Sequence, residues 1–330
     1  LAGDIPAWLV RGAAFVFGAL WGSFFNVAIY RWPRGMSVVT PPSHCPGCGA
    51  PVQWRHNVPI VGYLLLGGKA ACCGTRLTPR YAWVELLTAV LFVAVAERFF
   101  VETPDAALDA ALLEVALYCT FVGGLIIATF VDLEWMEIPD EVSLPGAALG
   151  LATVGLRAAP GPVSAAVGAG VGFLVVQVLF IWVYERLTGR RGMGEGDAKL
   201  LLMIGAFLGW EAILFTLLAG SMQGLIVAGI AMSTGAPMIP TRPDELPEPT
   251  SEADTEPLAS ASTAVEAGDP VSNAVPLSAV TEPSGPSAPE RSAPPPPAMM
   301  VFGPMLALAS LEYLFFGDLL RATLENLFGG

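Results

Sequence analysis

The sequence predicts an all-α polytopic membrane protein of about eight transmembrane helices, with a cysteine-bearing loop after the first. Three observations carry that prediction: an oily composition, a series of long apolar stretches, and an uneven distribution of Lys and Arg between them. Of 330 residues, 54% are hydrophobic and 14% charged, a balance too apolar for a water-soluble domain of this length. A spanning helix needs about 20 mostly apolar residues. Stretches that meet or approach this run from Ala7 to Tyr30, Tyr81 to Phe100, Ala111 to Val131, Ser143 to Ala158 and Pro162 to Tyr184. Lys199 to Gly209, Trp210 to Met232 and Met299 to Phe316 follow. The Lys199 to Gly209 piece is short and reads equally well as half of a bent hairpin.

Topology follows from the short loops, because those rich in Lys and Arg stay in the cytoplasm. Arg31, Arg34, Arg55, Lys69, Arg76 and Arg80 separate the first two stretches, whereas the next loop carries Glu102, Asp105 and Asp109. The first loop is therefore expected to be cytoplasmic and the amino terminus to face outward. Alternation puts Asp132, the cluster of Arg186, Arg190 and Arg191, and Asp197 on the cytoplasmic side too. The first stretch is too long for a signal-peptide core and its basic residues follow it, so it reads as an uncleaved span. The formal charge of −13 is concentrated between positions 232 and 298, where ten acids face only Arg242 and Arg291. The Pro, Ser, Ala and Glu bias of that segment predicts a disordered cytoplasmic insert, with a docking tail for a basic partner as the alternative. The resulting division is a first span over 1–30, a cysteine loop over 31–80, a membrane core over 81–231, the acidic insert over 232–298, and a last span with its tail over 299–330. Gly146 with Gly150, and Gly168 with Gly172, lie inside apolar stretches and read as close helix packing, not as a phosphate loop.

Four of the five cysteines fall in the first loop: Cys45 and Cys48 within His-Cys-Pro-Gly-Cys-Gly, then Cys72 and Cys73 before Gly74. A reducing compartment disfavours structural disulfides, so gathered thiols point to a tetrahedral Zn2+ site. Pro46 and Gly47 permit the tight turn that aims the first two sulfurs at one ion. The adjacent pair is a weaker signal, and His44 or His56 could replace one of its members; unbound thiols or redox chemistry are the alternatives. A loop of about fifty residues with few bulky apolar groups has little core, and a metal would supply folding free energy directly. The ligand set is closed, so the metal is expected to be structural. Cys119, inside a span, reads as a buried small apolar residue.

Asp132 ends an apolar run and opens Asp-Leu-Glu-Trp-Met-Glu-Ile-Pro-Asp; Pro139 stops the helix there. Asp197 closes Gly-Met-Gly-Glu-Gly-Asp and begins the next apolar segment. Both carboxylates are thus expected at one cytoplasmic membrane edge. Two carboxyls within hydrogen-bonding distance share a proton, so that one stays protonated while the other activates water against a peptide carbonyl. Gly192, Gly194 and Gly196 remove side chains just before Asp197 and let an extended substrate pair with the loop, with Lys199 close by. Taken singly, each acid also fits an ordinary helix amino terminus. Paired acids of an ion-coupled carrier are a second alternative, disfavoured because these acids lie at one face and not at midplane. A metal-bearing assembly scaffold without catalysis is a third.

The motifs, taken in order, resemble those of the type IV prepilin peptidase family, a group of GxGD-type membrane aspartyl peptidases. They are Gly22-Ser-Phe-Phe-Asn-Val-Ala-Ile-Tyr-Arg31, Cys45-Pro-Gly-Cys48, Trp54-Arg-His-Asn-Val-Pro59, Pro79-Arg-Tyr81 with Val84-Glu-Leu86, Asp132 to Asp140, Gly194-Glu-Gly-Asp197-Ala-Lys199, and Phe302-Gly-Pro304. They cover most of the chain outside the acidic insert. The resemblance implies an enzyme of the bacterial inner membrane that removes basic leaders from type IV prepilins and type II secretion pseudopilins, with Asp132 and Asp197 as its catalytic pair. It also implies N-methylation of the new amino terminus with S-adenosylmethionine, a cofactor that no residue pattern here reveals. Expected partners are those precursors and membrane lipid, with no nucleic acid. Glu134, Glu137 and Glu195 could attract the basic leader, or be merely solvated. The sequence departs from the family pattern at Ala70, where a cysteine is usual, and at the adjacent Cys72 and Cys73. That departure bears on the metal geometry and on methyl transfer, not on proteolysis. Removal of the long acidic insert is expected to leave the spans intact.

Overall fold

A computed structural model describes residues 2–189, 193–234 and 301–328. The expected acidic insert, and Arg190 and Arg191 of the basic cluster, lie outside the described residues. Within them the chain is helical: α1 Ala7–Arg31, the short α2 Val61–Leu65, α3 Arg80–Ala96, α4 Leu108–Trp135, α5 Asp140–Ala152, α6 Pro162–Leu174, α7 Tyr184–Thr188, α8 Glu195–Leu208, α9 Trp210–Thr234 and α10 Gly303–Phe328. A π-helical turn over Glu97–Val101 extends α3, and one over Val175–Val183 makes α6 and α7 continuous.

Among the described residues, five helical stretches are long and apolar enough to cross a bilayer: Ala7–Arg34, Leu108–Trp135, Pro162–Thr188, Trp210–Thr234 and Gly303–Leu320. The expected count of about eight is not reached, for reasons of length and charge. At 1.5 Å per residue, the 13 residues of α5 and the 14 of α8 rise only about 20 Å, short of a hydrocarbon core about 30 Å thick. With its π turn α3 is long enough, but it carries Glu85, Glu97 and Arg98.

Small residues set the packing. A β-carbon at Gly18 would lie 2.7 Å from Ala89 Cα, and one at Gly22 would lie 2.6 Å from Glu85 Cα, so α1 rests directly on the backbone of α3. On the other side of the molecule, a β-carbon at Gly172 would lie 2.8 Å from the Leu201 carbonyl, and one at Gly205 would collide with the backbone of Gly168. Gly146 and Gly150 face Met203 and Phe207. The glycine spacings of the sequence therefore mark the seams along which α5 and α6 close on α8. As a result α8 is buried on nearly every face, with Leu200, Leu201, Ile204 and Phe207 at 0% exposure.

Phe207 stacks on Phe121 of α4 at 4.7 Å between ring centroids. At the end of α8, the buried guanidinium of Arg157 donates to the carbonyls of Phe207 (2.8 Å), Ala206 (3.0 Å) and Gly150 (2.6 Å). Those include the carbonyls a helix terminus leaves without partners, and a cation there also suits the helix dipole. One end of the bundle is tied by Arg11 to Glu97 at 2.7 Å and by Arg98 to Asp318. The other end gathers the last turns of α1 and α4 with the first turns of α3, α5, α8 and α10, and there the candidate site lies.

Candidate active site and cysteine cluster

Helix α4 stops one turn after Asp132. Met136 adopts a left-handed conformation (φ 54°) and donates its N–H to the Asp132 carbonyl at 2.9 Å, and Pro139 then caps α5. The side chain of Asp132 is buried, and its Oδ2 accepts the N–H of Gly303, the first residue of α10, at 3.0 Å. Asp197 is buried in the first turn of α8, and its Oδ2 accepts the N–H of Gly194 at 3.1 Å. A carboxylate in a helix's first turn, taking a free N–H from the residue before it, is in its favoured place.

The structure brings Asp132 and Asp197, 65 positions apart, within electrostatic range of each other. Ile138 fills the space beside both: a β-carbon at Gly196 would lie 2.9 Å from Ile138 Cβ, and one at Gly303 would meet Ile138 Cδ1 at 3.0 Å and collide with the Asp132 carboxylate. Glycine at 196 and 303 thus allows three elements to converge on the pair.

Other predicted residues are placed as follows. Lys199 Nζ donates to both oxygens of Asp140, at 2.6 and 2.7 Å, and so is committed to α5. Glu134 is ion-paired with Arg80 at the start of α3. The hydrogen bond from Gly303 was not legible in the sequence, because a backbone donor has no residue signature; only the Phe302-Gly-Pro304 motif hinted at it.

The cysteine cluster forms as two matching turns. Gly49 N–H donates to the Cys45 carbonyl (2.9 Å) and Cys45 N–H to the Ala50 carbonyl (2.8 Å). Twenty-five residues on, Gly74 N–H donates to the Ala70 carbonyl (2.8 Å) and Ala70 N–H to the Thr75 carbonyl (2.8 Å). Bridges between His44 and Pro51 and between Lys69 and Arg76 extend the match, and Gly49 and Gly74 both have φ near +70° (70° and 74°). In this register Cys73 answers to Cys48, whereas Ala70 stands where Cys45 has its thiol. Cys72 supplies the missing sulfur from a different position. Its Sγ lies 3.3 Å from that of Cys48 and 3.9 Å from that of Cys73, and Cys45 lies 3.6 Å from Cys73.

All four sulfurs fall within 4.8 Å of one another. Tetrahedral zinc with Zn–S bonds of about 2.3 Å separates its sulfurs by about 3.8 Å, so the donor set fits such an ion. Adjacency of Cys72 and Cys73 is therefore no obstacle to a four-thiolate site. His44 turns its Nδ1 toward the Pro42 carbonyl at 3.4 Å, and neither histidine belongs to the cluster. The Cys73 thiol is lowered to about 6, chiefly by the Thr75 hydroxyl, while Cys72 is raised to about 12, chiefly by Cys48.

Comparison with known proteins agrees with this layout. Residues 16–99 match the bacterial peptidase A24 N-terminal domain, and residues 119–229 match the type IV leader peptidase family. Among relatives, the prepilin leader peptidase/N-methyltransferase of Klebsiella pneumoniae is 37% identical over 214 residues, covering 63% of this chain and 89% of the relative. That of Myxococcus xanthus is 33% identical over 319 residues, covering 94% and 91%, and that of Neisseria gonorrhoeae is 35% identical over 246 residues, covering 65% and 80%. No solved structure matches. With two family domains in order, and these relatives aligned over 80% to 91% of their length, the chain belongs to the type IV leader peptidase family.

Proposed function

We propose that this chain is a membrane aspartyl peptidase in which Asp132 and Asp197 cleave the leaders of type IV prepilins and type II secretion pseudopilins. The observation that carries the proposal is that two buried carboxylates, from α4 and α8, lie within electrostatic range of each other, with glycines at 196 and 303 packed against the intervening Ile138. In that arrangement one carboxyl holds a proton for the substrate carbonyl and the other draws a proton from water as it attacks. Gly194 leaves the backbone before α8 open to an extended peptide, Gly196 lets Ile138 pack against the first turn of α8, and the Asp140–Lys199 pair fixes the start of α8 against α5. The N–H of Gly303 orients Asp132.

The proposed setting is the bacterial inner membrane, with the first loop and both aspartates at the cytoplasmic face and the amino terminus outward. A precursor whose basic leader stays in water and whose apolar helix lies in lipid presents its scissile bond at that edge. The relatives' names also support N-methylation of the newly exposed amine, for which S-adenosylmethionine would supply the methyl group. Cys45, Cys48, Cys72 and Cys73 would hold Zn2+ in a structural role, folding a loop that has little core of its own.

Purified precursor and full-length protein, combined in detergent, test the reading. Asp132→Asn and Asp197→Asn are each expected to lower leader removal at least about a thousandfold, the upper range for loss of an acid or base group. Either variant cleaving at the parent rate removes the pair from the mechanism. Mass spectrometry of the product reports methylation in the same sample.

A further inference from the structure

The segment from Val58 to Leu66, midway along the cysteine loop, lies deeper than a loop outside the membrane should. Helix α1 rises about 30 Å between Arg11 and Arg31, the thickness of a hydrocarbon core. The Arg11–Glu97 pair marks one edge of that slab, and Arg31 with the Arg80–Glu134 pair marks the other. Gly22 of α1 packs on Glu85 of α3, about 13 Å inside Arg31 and about 7 Å beyond Arg80 along the two helices. At that level the Glu85 carboxylate accepts the Ile60 N–H at 2.7 Å. The loop therefore leaves the membrane edge at Arg31 and dips back below it before α3 begins.

Irregular backbone at membrane depth must satisfy its polar groups internally or turn them to a polar cavity. This segment does both. Ile60 (φ 61°, ψ −54°) centres a γ-turn closed by Val61 N–H to the Pro59 carbonyl at 2.5 Å, a strained bend that reverses the chain. Gly62, Leu64 and Leu66 donate to the carbonyls of Val58, Ile60 and Gly62 (2.8, 3.0 and 3.2 Å), and Gly68 donates to that of Tyr63 (2.9 Å). A cavity of about 880 Å3 separates the segment from α1 and α3, with Gly62, Tyr63 and Leu66 lining it opposite Asn26 and Glu85. Val61, Leu64 and Leu65 form one helical stripe that stays out of this lining and is 49%, 68% and 81% exposed. At the same level on the neighbouring spans, Leu20, Phe24 and Leu87 are exposed as well.

We infer that Val58–Leu66 is a re-entrant anchor whose stripe of Val61, Leu64 and Leu65 lies among lipid acyl chains, continuous with the exposed faces of α1 and α3. Depth identifies the occupant: an aliphatic surface some 10 Å inside the slab meets hydrocarbon. Arg55 before the segment and Lys69 and Arg76 after it supply the cations that flank an apolar anchor at a membrane surface. Glu85, which the peptidase mechanism does not use, ties the anchor to α3. Because the two cysteine turns flank the segment in sequence, the anchor also holds the metal site against the membrane. The inference depends on the chain spanning a bilayer and not on the peptidase reading.

Full-length protein in lipid nanodiscs tests this, with a fluorescent amino acid placed at Leu65 or, as the reference, at Val39. Val39 is about as exposed (79%), but its neighbours Ser37 and Pro41 hold the Arg31 guanidinium at the edge. Quenching by nitroxide on the lipid chains, taken relative to quenching by aqueous iodide, is expected to be stronger at 65 than at 39. An equal or weaker ratio at 65 overturns the anchor. Protection of 65 from both quenchers overturns it too, since a second copy of the chain would then cover the stripe. An unchanged unfolding temperature shows that the labelled protein is folded. Should that temperature fall, the parent protein in discs carrying a photoreactive diazirine lipid decides: lipid adducts at Val61, Leu64 or Leu65 support the anchor, and adducts confined to the long spans refute it.

Discussion

Gly303→Ala isolates one backbone hydrogen bond at the aspartate pair. Its β-carbon would fall on the Asp132 carboxylate and 3.0 Å from Ile138 Cδ1, where ordinary contacts begin at about 3.4 Å. The start of α10 must withdraw by roughly half an ångström or more, which stretches the 3.0 Å bond from Gly303 N–H to Asp132 Oδ2 beyond useful range. A hydrogen bond to a charged group contributes about 1.5–3 kcal/mol. If Asp132 depends on it for its working orientation, kcat falls about 10- to 150-fold, at 1.36 kcal/mol per decade. A helix's first residue tolerates alanine, so thermal unfolding should stay within a few degrees of the parent, and the loss belongs to catalysis. The assay is a time course of leader removal from purified precursor, read by mass spectrometry at saturating substrate. Cleavage by Gly303→Ala at the parent rate refutes the positioning role of that N–H.

Three further outcomes follow from the packing and the cysteine turns. Cys72→Ala should lose bound zinc, and the double change Ala70→Cys with Cys72→Ala should regain one ion per chain, because position 70 matches Cys45; metal analysis of the purified variants decides. Chelation of the metal should expose the segment between Arg31 and Arg80 to limited proteolysis while leader cleavage persists, since the loop rather than the aspartates depends on the ion. Gly205→Val should destabilise the protein by about 1–3 kcal/mol, the usual range for an overfilled contact, and a lowered unfolding temperature in detergent checks it.

That Asp132 and Asp197 lie at the same end of the bundle was legible because each closes or opens an apolar run, and the grouping of the four loop thiols because cysteines seldom cluster without a shared purpose. The five long spans were legible from their length and oiliness. Contacts that depend on which element lies opposite were not. Lys199 sits two residues from Asp197, yet its ammonium turns to Asp140 on α5. Arg157, beside a Pro- and Gly-rich stretch, resembles a surface residue and is instead buried at the end of α8. The short helices α5 and α8 read as spans because apolarity alone does not report length, and in α8 it reports burial against protein and not contact with lipid. Cys72 could be matched to its role only after the two turns were superposed by their hydrogen bonds.

Walled in by α5, α6 and α9, α8 lacks the greasy outer stripe by which membrane helices usually drift and adapt. Apart from Lys199 and Leu202, its residues from Asp197 to Leu208 are buried. A saturation scan of this segment should therefore read like that of a soluble enzyme's core: isosteric exchanges survive, bulk and polarity do not, and changes in bilayer thickness or lipid type leave the tolerance pattern untouched.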